Sequence, residues 1–545
     1  MPRWAGRVAR TALQLLLVYA VLLAIHAWLG RWSPDYLAGR DLWHFWFTRM
    51  VVPMVMLGVF ASAARLVPAG IMLAAALLFI GTLSAIKRES IGEPFQVSDI
   101  FLAGQSVHLL HYVEWHQWLL GAAVIPASVY YAASLRLRWW SLPMALLFIG
   151  LLATYRIEWV SKWIHGNSWW IGVENLTFSQ AESERMNGLA THLYFSTAGL
   201  RLKTYTEAEI SRALEQLNAP APAPAPAAAG TAPDLYLVLG EAWWRDPSDP
   251  TSPLDQLKAH GFRETTAISP VYGGTTPNAE FEVLTAIPVK SFQAGIIPYQ
   301  HYVQYITEAA RTLPRLLVEK GYAASAYHNF TRRFWLRDQV YPKLGFRRFV
   351  SMEEMTLVIQ ANDWPTDEGL YRSVLDTVGG DKPQFHFIVT VETHGPYVKD
   401  AADAEGHNGV TDYRRRLGNA ILSLAAFKQE LDARGRPYML VVFGDHLPGL
   451  RRHQWKNGMT SETDPRLRQV PVLVAGNTGD VQGFARHIAN RPLYCMAPLL
   501  LDAIGQPTAD RYMNHAGETC RQSETPMLRP ADAVIQNQLF SGVPL

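Results

Sequence analysis

The chain carries little charge and almost no cysteine. Only 18% of its 545 residues are charged, and 49 Lys+Arg against 47 Asp+Glu leave a formal net charge of +2. Such a balance provides no field to steer a nucleic acid, which excludes that class of partner. The two cysteines, Cys495 and Cys520, lie near the C-terminus without the spacing of a zinc site. They form either one disulfide, if that end is exported, or two unpaired buried thiols. What abounds is apolar: 49% of residues are hydrophobic, 18 are Trp, and the excess sits mainly in the first 160 residues. Many tryptophans end apolar runs, as in a membrane interface belt. The length exceeds one compact domain, so two or three parts are expected.

Five apolar runs stand out: Thr11–Leu29, Phe45–Ala64, Leu66–Ala85, Trp118–Leu135 and Trp140–Tyr155. Most approach the ~20 residues that cross a bilayer. The last is short, and the second holds Arg49 near one end, within snorkelling reach of headgroups. Arg3, Arg7, Arg10, Arg65, Arg136 and Arg138 all fall on one side if the N-terminus is cytoplasmic; Lys87 and Arg88 are the exception. The expectation is a multi-pass inner-membrane protein whose chain after Tyr155 is extracytoplasmic, periplasmic in a two-membrane cell. The first run is long and followed by others, which argues against a cleaved signal peptide.

Residues 161–232 read as a connector. Trp159, Trp163, Trp169 and Trp170 lie either along the membrane surface or in a core. Thr206 and Glu209 have capping-box spacing, with Ile210, Leu214 and Leu217 on one face of the helix that follows. The Ala-Pro tract Ala219–Gly230 is an extended spacer. From Pro233 to Leu545, short apolar runs (Leu235–Leu239, Phe385–Val391, Tyr438–Phe443) alternate with helical patterns (Tyr305–Lys320, Ala420–Ala433). This alternation predicts an α/β domain with a mostly parallel sheet, in which function gathers at the C-terminal strand ends.

Each run ends in chemistry: Glu241 after the first, Glu392-Thr393-His394 after the second, Asp445-His446 after the third. Between them lies Tyr272-Gly273-Gly274-Thr275-Thr276-Pro277, a glycine-rich turn entering a helix. Thr276 is either that helix's cap or a nucleophile at a helix N-terminus. Glu241, Thr276, Asp445 and His446 offer three oxygen ligands and one nitrogen, which suits Mn²⁺, Zn²⁺ or Mg²⁺. A metal on a threonine hydroxyl lowers its pKa and generates a nucleophile.

The ordered set of motifs resembles the lipoteichoic acid synthase type of membrane phosphoglycerol transferase, in the alkaline phosphatase–sulfatase superfamily. Gly273–Phe281 resembles its nucleophile turn, Phe334–Asp338 its Phe-Trp-x-Arg-Asp element, Thr393–Tyr397 its His-x-Pro-aromatic loop, and Phe443–His446 its Gly-Asp-His motif. The resemblance implies an alkaline phosphatase/sulfatase-like fold behind five spans. It also implies one divalent metal, Mn²⁺ in the better-known members, on Glu241, Thr276, Asp445 and His446. Thr276 would attack phosphatidylglycerol and hold phosphoglycerol covalently. Trp335, Arg337 and His394 would line the phosphate and glycerol pocket, with Arg337 and His394 also acting in catalysis. The acceptor would be an extracytoplasmic glycan or glycolipid.

Placing Thr276 at the nucleophile sets Leu284-Thr285-Ala286 where sulfatases carry Leu-Thr-Gly. The sulfatase motif's arginine is missing and threonine replaces its Cys or Ser, which argues against formylglycine chemistry. Competing readings are a phosphoethanolamine transferase, a hydrolase of the same superfamily and an inactive glycan-binding scaffold. Glu241-Ala242-Trp243 departs from the Glu-Thr-x-Arg start of the first.

Overall fold

The computed structural model describes residues 3–30, 42–91, 94–97, 99, 122–136, 139–154, 163, 180–196, 205–215, 232–292, 296–359, 364–398, 409–460, 464–523 and 525–541. Trp118, Tyr155, Trp159, Trp169, Trp170, Leu217, the Ala-Pro tract and the side chain of Arg49 lie outside the described residues. The chain forms two compact units, one within Met1–Arg201, the other made of Leu202–Phe292 and Ile296–Leu545.

The first unit is helical: α1 (Arg3–Gly30), α2 (Leu42–Ala63), α3 (Leu66–Ile91), α4 (Val124–Ala133), α5 (Ser141–Thr154), α6 (Gln180–Asn187) and α7 (Leu189–Phe195). Among the described residues, two helices are long and apolar enough to cross a membrane, over Val8–Ile25 and Leu66–Arg88. Met50–Ala63 and Val124–Ala133 are apolar but shorter. Hydrogen bonds fix which helix ends share a face. Arg136 N–H donates to Ala63 O at 2.7 Å, and the Ser141 hydroxyl to Ser62 O at 2.7 Å, which joins the end of α2 to the α4–α5 turn. At the far end of α3, Arg88 pairs with Glu184 at 2.5 Å and Lys87 with Asp99 at 2.7 Å, so α6 sits at that end.

The second unit opens with α8 (Glu207–Glu215). Its capping box is formed: Thr206 N–H donates to Glu209 Oε2 at 2.8 Å, and Glu209 N–H to Thr206 Oγ1 at 3.3 Å. An eight-stranded sheet follows in the order β4-β3-β5-β1-β6-β7-β2-β8. The strands are β1 (Asp234–Gly240), β2 (Arg263–Ile268), β3 (Ala323–His328), β4 (Arg348–Ser351), β5 (Gln384–Val389), β6 (Tyr438–Gly444), β7 (Gln469–Gly476) and β8 (Arg491–Pro492). Only β7 runs against its neighbours. The central strands β1, β5 and β6 are buried along their whole length. Continuous apolar runs of this kind form strands covered on both faces.

Four helices matter to the site: α9 (Thr276–Thr285), α11 (Arg337–Leu344), α12 (Asp367–Leu375) and α13 (Val410–Ala433), with α10 (Leu313–Glu319) between the first two. The helical spacing read over Tyr305–Lys320 yields only α10. Thr312 accepts a hydrogen bond from Arg315 N–H, and Pro314 lies in the first turn, so the helix starts there. Tyr302, Ile306 and Ala310 upstream are buried as turns instead.

Candidate functional site

The parallel strands β1 and β6 end side by side, with Gly240 opposite Gly444. A Cβ on Gly240 would lie 2.5 Å from the Trp243 ring, and one on Gly444 would lie 2.5 Å from Trp243 O. Two glycines therefore let the chain fold over both strand ends at once. Glu241 and Asp445 follow directly and are brought together: Ala242 N–H donates to Asp445 Oδ1 at 2.8 Å.

The turn before α9 places Thr275 at φ 66°, a left-handed conformation unusual for a β-branched residue, after Gly273 at φ 70°. Thr275, not Thr276, takes the N-cap position, and its side chain makes no capping bond. The Thr276 hydroxyl is directed elsewhere, donating to Glu241 Oε2 at 3.3 Å. The capping reading of Thr276 does not hold.

His446 completes the group. Its Nδ1 bonds Leu447 O at 2.9 Å, which puts the proton there and leaves Nε2 as the lone-pair nitrogen. Nε2 faces Asp445 Oδ2 at 3.2 Å and Glu241 Oε1 at 3.5 Å. Glu241, Thr276, Asp445 and His446 are all buried. Ligand atoms of Glu241, Asp445 and His446 lie within 4.8 Å of one another. Burial, then the charge of Asp445, raises the Glu241 pKa well above the usual carboxylate range, against the Thr276 hydrogen bond. Among the described residues, Asp445 Oδ2 is buried without a hydrogen-bond partner. Two carboxylates and an imidazole lone pair turned on one point, with an acceptor left over, are the donor set a divalent cation satisfies.

Arg337 lies beside this group rather than in it. It forms a buried ion pair with Glu280 of α9 at 2.5 Å, and the Tyr341 hydroxyl donates to Glu280 Oε2 at 2.8 Å. Its Nη1 also approaches His328 Nε2 at 3.3 Å, while His328 Nδ1 bonds Val389 O at 2.9 Å. Burial first, then Arg337, holds His328 neutral, well below its ordinary pKa. Trp335 and Leu336 adopt φ 61° and 58°; the Trp335 ring packs on Phe334 at 5.3 Å.

His394 leaves the exit loop of β5. The Thr393 hydroxyl donates to Glu241 O, and Glu241 N–H to the Thr390 hydroxyl at 2.9 Å, so this loop is tied to Glu241. Trp364 covers His394, ring centroids 4.5 Å apart. Burial pushes the His394 pKa down to about 4, with His446 and Arg337 also lowering it against the Gly395 carbonyl. Nδ1 bonds that carbonyl at 2.5 Å, so Nε2 is the basic nitrogen.

Glu280 and His328 belong to the site's architecture but were not singled out from the sequence. His328 ends β3 as Glu241 ends β1, so the same strand-end rule applies. Its strand, Ala323–His328, is too poor in large apolar residues to stand out.

The sequence profile of the Sulfatase family matches residues 233–505. A cyclic beta-1,2-glucan modification protein of Rhizobium meliloti (strain 1021) is 27% identical over 495 residues, 81% of this chain and 73% of its own. Lipoteichoic acid synthase 2 of Bacillus subtilis (strain 168) is 22% identical over 265 residues, 44% of this chain and 38% of its own. A Streptococcus pyogenes phosphoglycerol transferase in complex with sn-glycerol-1-phosphate superposes with TM-score 0.45 at 19% identity, over 62% of this chain and 90% of that one.

Proposed function

The chain belongs to the sulfatase family, and from that premise we propose that it moves phosphoglycerol from phosphatidylglycerol, through a phosphothreonine at Thr276, to an extracytoplasmic glycan or glycolipid. The observation that carries this reading is the meeting of Glu241, Thr276, Asp445 and His446 in one buried group with Asp445 Oδ2 unpartnered. A divalent cation held by these four residues, Mn²⁺ being the first choice and Zn²⁺ or Mg²⁺ the others, supplies Lewis-acid charge and a lowered threonine pKa.

Thr276 Oγ forms the new bond to phosphorus while the bond to the diacylglycerol oxygen breaks. The hydroxyl proton ends on that oxygen, and diacylglycerol leaves. The acceptor hydroxyl then enters where diacylglycerol left, gives up its proton and takes the group, and Thr276 regains its own. His394, neutral with Nε2 basic, is set up to receive the acceptor's proton. Arg337, held by Glu280, orients the α9 end of the site and, with Trp335, flanks the phosphoglycerol.

A membrane domain of five spans accords with the shared helix faces. The end of α2, the start of α3, the end of α4 and the start of α5 fall on one side with Arg65 and Arg136. The end of α3 and the α6 segment fall on the other. Lys87 and Arg88, which broke the charge rule, are neutralised there by Asp99 and Glu184. The disulfide Cys495–Cys520 fits an exported catalytic domain.

The test is incubation of the purified protein with headgroup-labelled phosphatidylglycerol or phosphatidylethanolamine. Diacylglycerol release from the first, abolished in Thr276→Ala, is expected. Release from phosphatidylethanolamine alone contradicts the donor, and full activity in Thr276→Ala contradicts the covalent threonine.

A further inference from the structure

Among the described residues, three exposed aliphatic side chains of the second unit lie on the chain segments around Trp364 and His394. Val358 is 60% exposed, Ile359 54% and Val398 61%; the first two lie on a segment paired with the residues that follow Trp364, and Val398 lies on the loop of His394, whose ring meets Trp364. Thr366 N–H donates to Val358 O at 3.1 Å, and Ile359 bridges Pro365. Both partners follow Trp364 in the chain, and the Trp364 Nε1 donates to Gly395 O at 3.1 Å. Val398 follows four residues after His394, its N–H fixed on Asp412 Oδ2 at 2.9 Å. The rings continue past Trp364 through Phe330 at 5.2 Å to Phe334, a further 5.4 Å, beside exposed Arg333. Single exposed valines are ordinary. Aliphatic side chains joined through backbone bonds to an aromatic row with an arginine at its end make the composition of a membrane-interface surface.

Chemistry places an apolar group here. In a two-step transfer through Thr276, the leaving oxygen lies opposite Thr276 Oγ, where the acceptor oxygen later enters and where His394 serves it. What hangs from the leaving oxygen is diacylglycerol. We propose that the rim formed by Val358, Ile359, Trp364 and Val398 is a lipid-docking face, on which the diacylglyceryl part of an anionic phospholipid seats while still in its bilayer. This rests on the transfer reaction proposed above. A sugar acceptor stacks on aromatic rings but gains little from exposed valine and isoleucine, whereas acyl-glycerol gains from both. Arg333 favours the anionic leaflet.

The test uses the full chain in nanodiscs containing phosphatidylglycerol. Both native cysteines are bonded to each other, so Val358→Cys provides a single thiol for an environment-sensitive fluorophore. Quenching by lipids brominated on their acyl chains is expected, and its absence overturns the proposal whether or not the protein turns over lipid. In parallel, Val358→Ser/Ile359→Ser is compared on long-chain phosphatidylglycerol and on a water-soluble nitrophenyl ester of phosphoglycerol. Loss of about tenfold in kcat/KM on the lipid alone is expected. Equal loss on both donors, or a change only in dependence on a glycan acceptor, overturns it. Quenching without turnover by the wild type would keep the docking face and sink the transfer reaction instead.

Discussion

Thr276 stands at the first position of its helix, yet its hydroxyl points to Glu241 rather than to its own backbone. Thr275 took the strained cap position instead, and that division of labour between adjacent threonines is what makes one of them available for chemistry. The same economy governs the acids. Glu241 and Asp445 are turned toward each other, whereas Glu280, only four residues after Thr276, is fully committed to Arg337 and Tyr341. Glu280→Gln would leave a buried guanidinium without its counter-charge. We expect it to lower stability by about 3 kcal/mol, read as a drop in thermal midpoint of the full chain. Glu241, Thr276, Asp445 and His446 were legible in the sequence because strand ends and a Gly-Gly turn announce such positions. Glu280 was not, because a glutamate inside an amphipathic-looking helix signals a solvated face. Only the three-dimensional neighbourhood of Arg337 gives it a partner.

At the level of elements, the helix α9 that begins at Thr276 is held from behind as well as in front. The Tyr512 hydroxyl donates to Ala286 O at 2.8 Å, and Val289 N–H donates to Glu282 Oε1 at 2.9 Å. Glu282 is fully buried, and burial raises its pKa from the ordinary 4.5 to about 8, against the Val289 and Tyr494 backbone bonds and Lys290. An acid with a raised folded-state pKa takes up a proton on folding. Its contribution to stability is fully present below pH 4.5 and is lost as the pH rises through about 8. Glu282→Gln keeps the acceptor and removes the titration. Its thermal midpoint, compared with wild type, is therefore expected to gain more at pH 8.5 than at pH 5, and an equal gain at both would contradict this. The strands β1, β5 and β6 were visible as continuous apolar runs, and α8 as a capping box. The shortened α10 was not, because periodic apolar residues recur in buried turns as well as in helices.

For the molecule as a whole, the sequence separated an apolar first part from an α/β second part by texture alone. Which helix ends share a face was not legible, since it depends on bonds such as Arg136 to Ala63 and Arg88 to Glu184, set by tertiary packing. The cysteines were undecided at that level; folding brings Cys495 and Cys520 together across 25 residues. Closing a loop of that length is worth about 3 kcal/mol. Reduction, or Cys495→Ala/Cys520→Ala, is expected to lower the thermal midpoint accordingly, and material made without export is expected to carry both thiols free. The most direct check of the central claim is mass spectrometry of the metal-loaded protein after exposure to phosphatidylglycerol without acceptor. A glycerophosphoryl adduct on the peptide carrying Thr276, chased off by added acceptor and missing from Asp445→Asn, is the predicted result. Diacylglycerol release with no adduct at Thr276, or with the adduct on another residue, would contradict it.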